Sequence, residues 1–284
     1  ARFLSDDEEI LTYSITLRDK PTTATTSATK PTVANEKALS EQNLKDTVGT
    51  YFPGGIEELT LSGNGSKVLS LSNTNSRGTF ILSDTSGKNS RTVLTHPIHE
   101  WLLSFPNETA AVVTTKPSGT VNGYGYTLNL SNGSLRKIVG GIAGLTLLPN
   151  SSLTTYLGGA TPGTTIRLFT VTPEDPEPQI LPLSTLPEKC VWAKKTPNTV
   201  YCAVPSAIFP ATYPDDWYKG KISFSDQIWK INTVTQETTL VSNLPSESNQ
   251  AIDGVNLSIA DDDAYLTFIN KIDLTLWGLD LSIK

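Results

Sequence analysis

The sequence predicts an all-β fold, a six-bladed β-propeller of four-stranded antiparallel blades with irregular or incomplete first and last blades. A short hairpin is written six times, its copies are spaced by about one blade of chain, and no long window carries helical periodicity. The clearest copy is residues 56–73, IEELTLSGNGSKVLSLSN: apolar strand, tight polar turn, apolar strand. The others are ARFLSDDEEILTYSIT from Ala1, EWLLSFPNETAAVVTT from Glu100, GLTLLPNSSLTTYLGG from Gly144, KCVWAKKTPNTVYCAV from Lys189 and VNLSIADDDAYLTFIN from Val255. Their turns fall on Asn, Asp, Gly or Pro, residues that tolerate or pre-set turn dihedrals. Turn positions Asn64, Asn107, Asn150, Asn198 and Asp262 lie 43, 43, 48 and 64 residues apart, two within and two above the roughly 40–45 residues of a four-stranded blade.

Taken in order, the first hairpin turns at Ser5-Asp6-Asp7-Glu8 and is followed by a Thr/Ala/Pro-rich insertion, residues 20–44. Its first part holds too little apolar surface to order itself, and NEKALSEQNL from Asn35 has a plausible N-cap for a short helix. Residues 48–52 read as a strand leading into the next blade. From Gly55 each hairpin gains a third and a fourth strand: GTFILSD with SRTVLTH, GYTLNLS with LRKIV, TIRLFTVT with PQILPL, and QIWKINT with ETTLVSNL. The last unit supplies LTLWGLDLSIK and has no fourth strand. A propeller joins its first and last blades to avoid open sheet edges, so the missing strand is expected from upstream of Ala1, or the ring is incompletely closed. The chain is expected to form a single propeller domain over residues 1–284.

The apolar-aromatic-x-apolar-Asn/Asp motifs Ile228-Trp229-Lys230-Ile231-Asn232 and Leu276-Trp277-Gly278-Leu279-Asp280 resemble the third strand of WD-repeat and TolB-type propellers. The turns at Pro106-Asn107 and Pro149-Asn150 resemble the Ser-Pro-Asp-Gly turn of the TolB type, though no copy is intact. The segment LPEKCVWAKKTPNTVYCAVP…YPDDWYKG…FSDQIWKIN is also similar to uncharacterised, membrane-anchored propellers of candidate-phyla bacteria. That resemblance implies an architecture and a location, not an activity.

Composition narrows the function classes. With 37% hydrophobic and 18% charged residues the chain can bury a large core. Its net charge of −6 and lack of a basic cluster argue against nucleic acid and anionic membrane surfaces as partners. No apolar run approaches the roughly 20 residues of a membrane span. The chain starts at Ala1, which suggests a processed fragment whose only membrane contact is a missing N-terminal anchor. In the hairpin from Lys189, Cys190 and Cys202 would sit opposite one another on adjacent strands, within disulfide reach. A one-residue shift of the turn would make them diagonal, and buried free thiols are the alternative. A bridge would place the protein in an oxidising compartment.

A second insertion, residues 205–225 in the fourth blade, carries Phe209, Tyr213, Trp217, Tyr218 and Phe224 with Asp215 and Asp216. Both insertions follow a second strand, so meander connectivity puts them on one face, and blades one and four of six are opposite across the channel mouth. Trp217, Tyr218, Tyr213, Asp215 and Asp216 are therefore the candidate binding residues, with Trp217 as anchor, suited to carbohydrate stacking or peptide capture. The alternative is a loop that packs its own aromatics as a satellite core. The acidic runs Asp261-Asp262-Asp263 and Ser5-Asp6-Asp7-Glu8-Glu9 lack the spacing of a calcium loop and read as solvated turns. His96 and His99 straddle Pro97 and would point apart, so no metal site is assigned. The six Asn-x-Ser/Thr sequons at Asn64, Asn107, Asn129, Asn132, Asn150 and Asn256 are mostly explained by turn chemistry. No nucleophile elbow or phosphate loop occurs, and no catalytic residue or cofactor is assigned. The expectation is an extracytoplasmic, cell-surface propeller binding a protein or glycan through loops on one face. The alternatives are a glycan-active hydrolase or lyase with acids at the channel mouth, and a structural subunit of a surface assembly.

Overall fold

The computed structural model describes residues 2–4, 10–16, 48–52 and 54–282. Strands β1 (Arg2–Leu4), β2 (Ile10–Thr16) and β3 (Val48–Tyr51) form a three-stranded antiparallel sheet. Five blades follow. The first is β4 (Ile56–Leu61), β5 (Lys67–Thr74), β6 (Arg77–Asp84) and β7 (Arg91–His96). The second is β8 (Trp101–Ser104), β9 (Ala110–Thr115), β10 (Asn122–Asn129) and β11 (Leu135–Ala143). The third is β12 (Thr146–Pro149), β13 (Tyr156–Ala160), β14 (Arg167–Val171) and β15 (Gln179–Ile180). The fourth is β16 (Cys190–Trp192), β17 (Thr199–Pro205), β18 (Asp226–Asn232) and β19 (Thr238–Ser242). The fifth has β20 (Gly254–Ile259), β21 (Tyr265–Asn270) and β22 (Leu276–Asp280), and no fourth strand among the described residues. Two short helices, α1 (Asp215–Tyr218) and α2 (Leu244–Ser248), lie in connections.

The expected count of six blades is corrected to five. A hairpin is half a blade, and the first one gains only the short β3, in a three-stranded sheet separate from the five that follow. With five blades the expected opposition of the two insertions no longer follows, and residues 20–44 lie outside the described residues. So do the suggested helix from Asn35 and the acidic turn at residues 5–9.

Packing explains why the second strands of the first four blades read as near-unbroken apolar runs, whereas β21 of the fifth alternates exposed and buried residues. Alternate side chains of a strand point to opposite faces. In β9, Ala111 and Val113 join a cluster with Phe80 of the first blade, while Val112 joins Tyr156 and Phe169 of the third. In β17, Val200, Cys202 and Val204 pack towards the third blade, Tyr201 and Ala203 towards the fifth. The core is thus a series of layers, one between each two consecutive blades from the first to the fifth. First strands of successive blades are neighbours, β4 with β8, β8 with β12 and β16 with β20, which sets them innermost around the axis. Connections between second and third strands emerge at one end, with those that lead from blade to blade.

The turns of the opposite end tie blade to blade. Glu108 accepts hydrogen bonds from Asn64, Ser66 and Lys67 of the preceding blade, which hold its carboxyl down at about 2. Asp263 accepts the backbone N–H groups of Lys194, Lys195 and Thr196, and Asp261 pairs with Lys194, so the acidic run caps the neighbouring turn. The side-chain oxygens of Asn64, Asn107, Asn129, Asn132 and Asn150 accept backbone N–H groups two to five residues on, the turn chemistry expected of those sequons.

Cys190 and Cys202 are directly opposite in register, 4.0 Å apart at Cα, and form a disulfide. It closes a loop of 12 residues, for which the chain-entropy model gives about 3 kcal/mol. Reduction, or the Cys190→Ala/Cys202→Ala pair, is expected to lower the guanidinium unfolding free energy by about that amount. An unchanged midpoint under reducing conditions would contradict this.

Candidate functional site

The connection after β17 does not wander over the surface; it is fastened to three other blades. Its backbone carbonyl at Tyr213 accepts a hydrogen bond from Thr161 Oγ1 of the third blade at 2.6 Å. Asp215 Oδ2 accepts from the Gly119 N–H of the second blade at 2.7 Å. A Cβ at Gly119 would stand 2.2 Å from the Tyr213 carbonyl oxygen, so only glycine admits this approach. Asp216 closes the loop on itself, accepting from the Thr212 N–H and from Lys221 Nζ, both at 2.9 Å, and those bonds hold its carboxyl below the usual range. Tyr213 Oη donates to the Phe209 carbonyl at 2.7 Å.

Under the loop lies a satellite core of Ile166, Leu186, Tyr213, Trp217 and Phe224. Trp217 stacks on Phe224, centroids 6.1 Å apart, and is only 3% exposed; Tyr213 is fully buried. Neither can be a surface anchor as they stand here, because both are spent on fixing the loop, as the satellite-core alternative had it. Asp215 and Asp216 likewise serve the loop. Of the five expected binding residues, Tyr218 alone presents its ring to solvent, at 39% exposure.

The fastening reaches a fully buried ionic cluster at the junction of the fourth and fifth blades. Lys189, in a 3₁₀ turn before β16, donates from Nζ to Asp226 Oδ2 at 2.8 Å, to Asp253 Oδ1 and to the Gly254 carbonyl at 3.0 Å. All three charged side chains are 0% exposed. Asp253 Oδ2 accepts from Trp217 Nε1 at 2.8 Å and from the Phe224 N–H at 3.1 Å. The rings of Trp217 and Phe224 also stand over the ammonium, at 5.3 and 5.2 Å. Asp226 Oδ2 accepts the Gly254 N–H, but Oδ1 is buried without a partner among the described residues. Burial therefore pushes the Asp226 carboxyl up to about 6, against the pull of Lys189.

At the axis, Tyr218 Oη donates to Glu188 Oε1. Glu188 is half-buried, and desolvation raises its carboxyl above the usual range despite that bond. Its Oε2 and the Thr146 Oγ1 are buried beside one another, and Thr146 helps to hold the carboxyl down. The Tyr218 phenol is held well above its ordinary value, first by burial, then by Glu188, with Glu58 also contributing. Glu58 lines an adjoining cavity of about 350 Å³ with Glu57, His99, Glu100, Trp101 and Lys116. Lys116 pairs with Glu100 at 2.5 Å and holds that carboxyl low. His96 and His99 serve separate ends: His96 Nδ1 accepts the Ile98 N–H and its ring packs on Trp101, while His99 lines the cavity.

Lys189, Asp226, Asp253, Glu188 and Glu58 were not among the residues singled out from the sequence. Asp226 and Asp253 sit where a new inner or third strand begins, in FSDQIW and AIDGVN, an acid before an apolar run that could have drawn notice.

No family model and no curated protein matches this sequence. Solved structures do match. The putative TolB from Agrobacterium tumefaciens aligns at 10% identity and TM-score 0.55, over 82% of this chain and 80% of that one. A structure described as nidogen/laminin complex aligns at 9% identity and TM-score 0.56, over 83% and 81%. Oligogalacturonate lyase in complex with manganese aligns at 10% and 0.51, over 79% and 64%. The chain spans 45% of a TolB from Acinetobacter baumannii and 27% of tricorn protease, both also matched. Likeness at these identities shows the fold: a β-propeller with TolB-type neighbours. The resemblance to candidate-phyla propellers is not supported by these comparisons.

Two outcomes follow from the ionic cluster. Lys189→Met leaves two acids without their cation, and is expected to cost about 3–5 kcal/mol and to make the insertion susceptible to limited proteolysis. The raised Asp226 pKa means that the folded state binds more protons than the unfolded one between pH 3.8 and about 6. Stability should fall as pH rises through that window, by on the order of 2–3 kcal/mol at most, and Asp226→Asn should flatten the slope. Urea melts of wild type and variant across the window would decide it; equal slopes refute the assignment.

Proposed function

We propose that this chain is an extracytoplasmic scaffold that binds a protein or glycan on the face bearing the 206–225 insertion. The observation that carries the reading is the anchoring of that insertion to the second, third and fifth blades. Its buried side is fixed, while Tyr218 and Phe209, the latter 65% exposed, stand outward near an acidic channel mouth. A surface held in place before a ligand arrives loses little freedom on binding. Aromatic rings suit sugar faces or peptide side chains, and carboxylates accept from hydroxyl or amide donors. The disulfide supports an oxidising compartment.

A second reading, acid–base chemistry on a glycan, is favoured by Glu188. A carboxyl raised by burial and bonded to a phenol has the makings of a proton donor. One of the solved neighbours is named oligogalacturonate lyase.

A glycan array and a panel of surface-protein ectodomains would supply the ligand. Tyr218→Ala should weaken its binding about tenfold or more with the melting temperature retained. Trp217→Ala should lose binding together with protease resistance of the insertion. A ligand indifferent to Tyr218→Ala and Glu188→Gln would move the working surface elsewhere. Turnover of oligogalacturonate that Glu188→Gln abolishes would establish the second reading over the first.

A further inference from the structure

A cleft of about 600 Å³ opens on the outer side of the ring, between β11 and the proline-rich 172–178 connection of the third blade. Its lining shares no residue with the channel mouth and does not depend on the role of those residues. Its lining includes Arg136, Lys137, Ile138, Val139 and Gly140 in succession. The cleft therefore follows β11 over this stretch, which includes the bulge at Ile138. The edge of that strand is open. β11 ends its sheet in the order β11-β10-β9-β8, and the outward N–H and C=O groups of residues 136–142 bond to no other element among the described residues.

Two features distinguish this edge from one merely left bare. Its register is broken twice, between Gly123 and Tyr124 and between Gly125 and Tyr126, so β11 bulges and offers short pairing segments in place of one long flat ladder. The charge of the cleft's β11 side is also contrary to the protein's, although the facing connection carries Glu174, Asp175 and Glu177. In a chain of net charge −6, Arg136 is exposed and makes no ion pair or hydrogen bond among the described residues, and Lys137 lies over the Tyr124 ring at 5.6 Å. Glu177 is the one carboxylate of the lining. Ile138, Ile142 and Pro176 supply an apolar floor that ends on the buried Tyr156 ring.

We propose that this cleft binds an extended acidic peptide that adds as a strand to β11. Main-chain hydrogen bonds to the open edge would give affinity independent of side chain. Aliphatic residues at alternate positions would enter the floor, and the intervening Asp or Glu residues would meet Arg136 and Lys137.

A phage library of random linear peptides, selected on the wild-type protein and counter-selected on Arg136→Glu/Lys137→Glu, tests this. Enriched sequences should alternate acidic with aliphatic residues. The synthetic peptide should bind the charge-reversed variant at least about tenfold more weakly, lose binding when alternate backbone nitrogens are methylated, and ignore Tyr218→Ala. Arg136→Lys/Lys137→Arg should retain most of the affinity, and both altered side chains are exposed, so melting temperatures should match wild type. Failure to enrich, enrichment without acidic residues, indifference to backbone methylation, or binding of oligogalacturonate in place of peptide would each overturn the proposal.

Discussion

Burial of both faces of the second strand in each of the first four blades is the constraint from which the rest of this structure follows. Val112 and Val113 are adjacent in the chain and serve different cores, as do Tyr201 and Cys202. A strand in that position has no polar face to vary, and its backbone groups must be satisfied by ladders on either side. Successive blades therefore stack through layers that leave little latitude. Chemical diversity is pushed to the two ends of the ring, and the ends differ: one is closed by short turns that bridge to each other through Glu108 and Asp263, the other holds the longer links and the insertion.

The insertion illustrates how such a ring acquires a distinctive face. An aromatic loop of this length would be mobile if it merely lay on solvent-exposed backbone. Here Lys189 brings Asp253 to an orientation in which the second carboxylate oxygen receives Trp217 and Phe224. The ammonium is shared by two carboxylates, one carbonyl and two ring faces, which together offset a desolvation cost that no single partner would. An apolar trio of similar volume could fill the space. It would not fix the azimuth of the indole, and the azimuth of helix α1 is what sets Tyr218 against Glu188.

The architecture was legible because strand period and turn chemistry are local. IEELTLSGNGSKVLSLSN states its own hairpin, and the opposition of Cys190 to Cys202 follows from the position of one turn. What failed was counting. The first hairpin carries the local signal of a blade, but membership of a blade is settled by packing on neighbours, which no window of residues contains. The site was legible only in part for the same reason. Aromatics in residues 205–225 announced a structured loop, yet which of them face inward depends on Asp253, some thirty residues away in sequence and in the next blade. Glu58 and Glu188 belong to different blade starts and carry no common spacing, so their convergence is a property of the ring alone.

That convergence separates two kinds of surface by charge. First strands lie around the axis, so acids near their starts are brought together whatever their distance along the chain, and their potentials add in a confined mouth. Glu57, Glu58 and Glu100 share one cavity, with Lys116 committed to Glu100, and Glu188 adjoins them through Tyr218. At the outer edge of the second blade the sign reverses, with Arg136 and Lys137 against a single glutamate of the lining. A ligand rich in hydroxyl or amide donors suits the mouth, and a ligand rich in carboxylates suits the edge; one chain segment could not satisfy both, so occupancy of either leaves the other to a different chemistry.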